Sequence, residues 1–91
     1  MNFEIIHCQT TIHMLSHPAY FIKEMRNIKP NTIRLNPTIE QVECIMKLFN
    51  DGILRYIELE NTVNGEMFTR TLKDITLYEN IMIFSWMECV Q

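Results

Sequence analysis

His7, His13 and His17 fall within one stretch, HCQTTIHMLSH over residues 7–17, and Cys8 lies beside them. Imidazole and thiolate are the common ligands of zinc, which takes at least three protein ligands in a catalytic site and four in a structural one. His13 and His17 are four apart, the spacing that puts two ligands on one face of a helix. However, Pro18 follows His17, and proline pushes the residue before it out of the helical region. The four-residue spacing then loses its geometric meaning, and no Glu follows His13 to act as a base. His7 and Cys8, as neighbours on an extended segment, point to opposite faces and cannot easily share an ion. The expectation is therefore no metal and no cofactor, with His13 and His17 in a loop or helix entry and His7 half-buried on a strand.

Other chemistry is sparse. Glu58 and Glu60 lie two apart, and paired carboxylates can do acid–base or metal work. On a strand they also solvate an outer face, and Thr69, Thr71 and Lys73 opposite them look like that ordinary surface. There is no nucleophile elbow, phosphate-binding loop or dinucleotide fingerprint. Cys8, Cys44 and Cys89 are odd in number, without a CxxC spacing or a basic setting. They are expected as free, mostly buried thiols of a reducing compartment. No catalytic residue is assigned, and the chain is expected not to be an enzyme.

The elements that position these residues can be read from pattern. Residues 3–8, FEIIHC, are apolar on both alternating faces and predict an inner strand. A helix follows, capped by Ser16 or His17, with Pro18 in its first turn and Pro30 at its end. Phe21, Ile22, Met25 and Ile28 would form its apolar face, with Lys23, Arg26 and Asn27 opposite. Residues 31–35 form a short extended piece. Thr38 and Gln41 make a capping box for a second helix. Its stripe is Ile39, Val42, Ile45, Met46 and Phe49, with Glu43 and Lys47 as an outward pair, and Asp51-Gly52 stops it.

The remainder predicts strands. Asn64-Gly65 signals a two-residue hairpin turn, pairing Val63 with Glu66, Leu59 with Arg70 and Ile57 with Leu72. Ile57, Leu59, Val63, Phe68 and Leu72 then share one face. The alternation breaks at Lys73-Asp74, as at a turn or bulge. A second hairpin turns at Glu79-Asn80, with Ile75, Leu77, Met82, Phe84 and Trp86 on one face and Tyr78, Ile81, Ile83 and Met87 on the other. This hairpin is apolar on both sides. The order β-α-β-α-β-β-β-β predicts a two-layer α+β domain over residues 1–91, with two helices on one face of a mostly antiparallel sheet.

The 91 residues suffice for one domain with a thin core, and 47% hydrophobic and 21% charged residues fit a globular chain. No apolar run reaches the ~20 residues of a membrane span, and no signal peptide is expected. One Ala and two Gly beside many Ile and Asn point to AT-rich coding DNA, a style that suits a phage or a low-GC bacterium. Charge is split: residues 1–35 balance at +2, from Lys23, Arg26, Lys29 and Arg34 against Glu4 and Glu24, and residues 36–91 balance at −5. Dedicated nucleic-acid domains have pI above ~9, against about 5.5 here.

These features predict a small non-catalytic cytoplasmic protein that binds a macromolecular partner. It would act as an inhibitor or modulator, phage-encoded and directed at a host protein. The contact candidates are the face around Tyr78, Ile81, Ile83 and Met87, which would also serve a homodimer, and the basic group Arg26, Lys29 and Arg34. The alternative is a nucleic-acid-binding regulator using the basic outer face of helix 1. No membrane partner is expected.

Overall fold

A computed structural model describes residues 1–87. Its elements are β1 (Glu4–Ile6), β2 (Thr11–Ser16), α1 (Pro18–Met25), β3 (Asn31–Leu35), α2 (Ile39–Asn50), β4 (Tyr56–Asn61), β5 (Met67–Tyr78) and β6 (Ile81–Trp86). The six strands form one mostly antiparallel sheet in the order β1-β2-β4-β5-β6-β3. Only β2 and β4 run parallel. The α+β class, the two helices and the six strands agree with the sequence pattern.

Two details of the order differ. The chain enters through a hairpin, β1 and β2, rather than a single strand, and β5 runs continuously through the expected break. Residues 7–10 close the entry hairpin, and His7, Cys8 and Gln9 all take positive φ (53°, 56° and 69°). That is a left-handed turn which side chains disfavour. Ile12, Met14 and Ser16 then alternate inward, with His13 half-buried and Leu15 exposed. On β5, the Lys73 break is a bulge: the register shifts between Leu72 and Asp74. Residues 67–71 of β5 pair with β4, and 72–78 pair with β6.

The sheet is strongly curled. Met14 on β2 and Arg34 on β3 are separated by three strands, which in a flat sheet would set them ~19 Å apart at ~4.8 Å per strand. Instead the Arg34 Nε lies 3.2 Å from the Met14 Sδ. Ile12, Met14, Ile57, Leu59, Phe68, Leu72, Ile75, Met82, Phe84 and Trp86 line the concave side, joined by Phe21 of α1 and Ile45 of α2. Phe21, Phe68 and Trp86 pack in sequence at steep interplanar angles of 59° and 67°, with ring centroids 5.2 and 6.0 Å apart.

Helix α1 starts where expected. The His17 Nδ1 accepts a hydrogen bond from the Ala19 N–H, and Pro18 occupies the first turn. It stops at Met25, ahead of Pro30, because Asn27 turns left-handed (φ 57°). The Asn27 side-chain oxygen then accepts from the Trp86 indole N–H at 3.0 Å. The buried face of α1 is Phe21 and Glu24 with Met25 beside them; Ile22 and Ile28, expected inside, are exposed. Helix α2 carries the predicted capping box, Thr38 with Gln41. Its outward ion pair is Lys47 with Asp51 at 3.1 Å, one turn later than the Glu43–Lys47 pair expected.

The β4–β5 hairpin is slipped from its expected register by two residues. Leu59 faces Phe68 and Ile57 faces Arg70. The loop has four residues, 62–65, held by Asn61 N–H to Glu66 C=O and Gly65 N–H to Asn61 C=O. Only Gly65 needs positive φ there (73°), and Val63 sits at the tip, 79% exposed rather than in the core. Because side chains alternate with period two, a two-residue slip leaves every other inward residue inward.

Candidate interaction faces

Among the described residues, the outer, convex side of the sheet carries no helix. By register, Ile33 faces Ile83, and Leu35 faces Ile81, which faces Tyr78. These five residues form one apolar patch across β3, β6 and β5. Tyr78 is 64% exposed, Leu35 61% and Ile33 46%, while Ile81 and Ile83 are half-buried between their neighbours. Met87 follows β6, exposed, with its N–H on the Thr71 carbonyl. The predicted residues Tyr78, Ile81 and Ile83 therefore share a face, and β3 adds Ile33 and Leu35, which the sequence reading missed. Their signal was the alternation in NTIRL, but only the pairing of β3 with β6 tells which face it joins.

Leu15, Tyr56 and Met67 lie further along the same side, on β2, β4 and β5, with a polar cluster among them. Its centre is His13, whose Nδ1 is 2.7 Å from Glu58 Oε1 and whose Nε2 is 3.4 Å from Glu60 Oε1. The two carboxylates thus sit one at each ring nitrogen of the imidazole. His13 is thus a strand residue in a charge cluster, not a loop residue, while His7 lies in the β1–β2 turn and His17 caps α1. Among the described residues, no group of three or more His, Cys, Asp or Glu is arranged to hold a metal ion. Cys8 and Cys44 are free but exposed, contrary to the burial expected. Cys89 lies outside the described residues.

The basic group does not form one outward patch. Arg26 is exposed, but Lys29 and Arg34 turn toward Glu24. This carboxylate is 1% exposed, a position for an acidic side chain that the sequence pattern did not mark. It accepts from the Ser16 hydroxyl at 2.5 Å and lies 3.6 Å from the Lys29 ammonium. Arg34 is more than half buried: desolvation pushes its pKa down, and the negative charge of Glu24 opposes that shift. Its Nε is spent on a thioether, a weak acceptor, and its Nη2 is buried with no hydrogen-bond partner among the described residues. Burial of a cation requires an opposite charge nearby, and Glu24 supplies it to Lys29, which stays partly in solvent, and through space to Arg34.

These groups surround a cavity of about 440 Å³ between α1 and β3. One wall is Ser16, His17, Tyr20 and Glu24; the other is Lys29 and the successive β3 residues 32–35. The Lys29 ammonium sits 5.6 Å above the Tyr20 ring. The volume falls within the usual range for binding clefts. Among the described residues no helix is long and apolar enough to cross a membrane. No protein-family model, curated protein or solved structure matches the chain.

Proposed function

We propose that this chain is a small non-catalytic interaction protein, a modulator or inhibitor that acts by docking a protein partner on the convex face of β5, β6 and β3. The observation that carries the reading is the uncovered patch of Tyr78, Ile81, Ile83, Ile33 and Leu35. Contiguous exposed apolar surface of this kind usually marks an interaction site. A standard interface takes ~800 Å² from each partner, about one seventh of the 5823 Å² surface here. Tyr78 would be the anchor, since aromatic residues dominate interface energetics. A phage-encoded regulator acting on a host protein in the cytoplasm, and a homodimer through the same face, are both consistent with this reading.

The nucleic-acid alternative has less support. Of its four cations, Lys29 and Arg34 are drawn inward by Glu24, leaving Lys23 and Arg26 on the outer face. Two exposed charges on an acidic chain make a weak footprint for phosphate.

The test is a tagged pull-down from a candidate host lysate, with and without nuclease, read by mass spectrometry and repeated with Tyr78→Asp. The reading expects a stoichiometric, nuclease-resistant partner that Tyr78→Asp releases while the variant keeps its circular dichroism spectrum. Recovery that nuclease abolishes, or that Tyr78→Asp leaves unchanged, would refute it.

A further inference from the structure

Among the described residues, β3 ends the sheet and its outer edge is open. The Trp86 N–H bonds to the Pro30 carbonyl and the Asn36 N–H to the Asn80 carbonyl, so the even-numbered residues of this segment direct their backbone groups toward β6. By the antiparallel alternation, Asn31, Ile33 and Leu35 direct theirs away. The Asn31 carbonyl is taken by the Lys29 ammonium at 3.2 Å. The N–H and C=O groups of Ile33 and Leu35 have no strand partner among the described residues, and they border the cavity beside α1. Open edges of this kind pair readily with another strand.

We infer that this edge receives an extended peptide segment of a protein partner, with an acidic side chain turned into the cavity and apolar side chains on the outer face. The inference rests on the protein-binding reading above and names the chemistry of the partner. Strand addition would satisfy Ile33 and Leu35 through main-chain bonds and read alternate side chains on the two faces. Residues of the added strand opposite Ile33 and Leu35 join the convex apolar patch. Residues opposite Thr32 and Arg34 point to the concave side, where, among the described residues, Lys29 and Arg34 face a single carboxylate, Glu24. That leaves one net positive charge and a guanidinium nitrogen without an acceptor. A carboxylate completes this set with charge-assisted hydrogen bonds, whereas a lysine in its place meets repulsion. The same excess charge disfavours pairing of β3 with a second copy of itself.

The experiment is fluorescence anisotropy of the whole protein with a labelled, end-blocked heptapeptide of alternating valine and glutamate. In the inferred pose the valine N–H groups face β3. Saturable binding is expected, weakened at least about tenfold when lysine replaces glutamate, in Arg34→Gln, or when the valines are N-methylated. Ile33→Pro removes an outward N–H and no bond to β6, so it should fold as an edge proline can and lose the probe. Absence of binding, equal binding of the glutamate and lysine peptides, or indifference to valine N-methylation would overturn the inference. Tyr78→Asp separates the two readings, because Tyr78 lies two strands from the open edge. If the peptide fails but Tyr78→Asp still releases the captured partner, the edge inference falls alone. If the peptide binds as expected and Tyr78→Asp leaves capture intact, the convex-face reading falls alone.

Discussion

Glu24→Gln should destabilise the protein by ~2–3 kcal/mol. The substitution keeps side-chain shape and lets the Ser16 hydroxyl keep an acceptor, so it isolates the charge. Glu24 is buried, with Lys29 3.6 Å away and Arg34 partly desolvated beside it. Removing one partner of a fully buried ion pair costs ~3–5 kcal/mol, because the other charge is left uncompensated. Lys29 keeps 31% of its side chain in solvent, which lowers the figure. For a chain of this size each kcal/mol moves Tm by ~4–8 °C, so thermal melting followed by circular dichroism should report a drop of about 10–20 °C. A double-mutant cycle with Arg34→Met checks the cause. Once the cation is gone, loss of the carboxylate should cost at least ~1 kcal/mol less than in the parent. A Glu24→Gln effect below ~0.5 kcal/mol, or strictly additive effects in the cycle, would refute the claim that Glu24 holds the two cations inside.

Three further outcomes follow from the packing. Phe21→Ala should cost ~3–5 kcal/mol in a denaturant melt, because a fully buried ring that contacts Phe68 is replaced by a cavity. Ile83→Lys should give a folded protein by circular dichroism that has lost the partner, since Ile83 lies on the uncovered side of β6; an unfolded product would show instead that Ile83 belongs to the core. Val63→Thr should change stability by no more than ~0.5 kcal/mol, as expected for an exposed loop tip, and a loss of ~1 kcal/mol or more would favour the two-residue turn with Val63 packed inside.

Several features of the fold and of the candidate site are local and were legible in the chain. The Thr38–Gln41 box starts α2 because a cap needs only a neighbour three residues away. Alternation marked Ile57, Leu59, Phe68 and Leu72 as one face, a turn or bulge at Lys73-Asp74, and the last hairpin as apolar on both sides. That double-sided pattern is what put Tyr78, Ile81 and Ile83 among the contact candidates.

Tertiary structure alone decided the rest, because pairing partners and sheet edges are non-local. Nothing in residues 11–16 states that they run parallel to β4. The β4–β5 register slipped by two residues unnoticed, since period-two alternation is blind to an even shift. Ile33 and Leu35 joined the patch only because β3 pairs with β6 at the end of the sheet. The curl of the sheet carried Arg34 across to Met14 and Glu24, turning a basic surface group into the wall of a cavity. Sequence by itself determined which residues are apolar, where helices begin and which strands alternate; the order of strands in space determined which charges meet and which edge stays open.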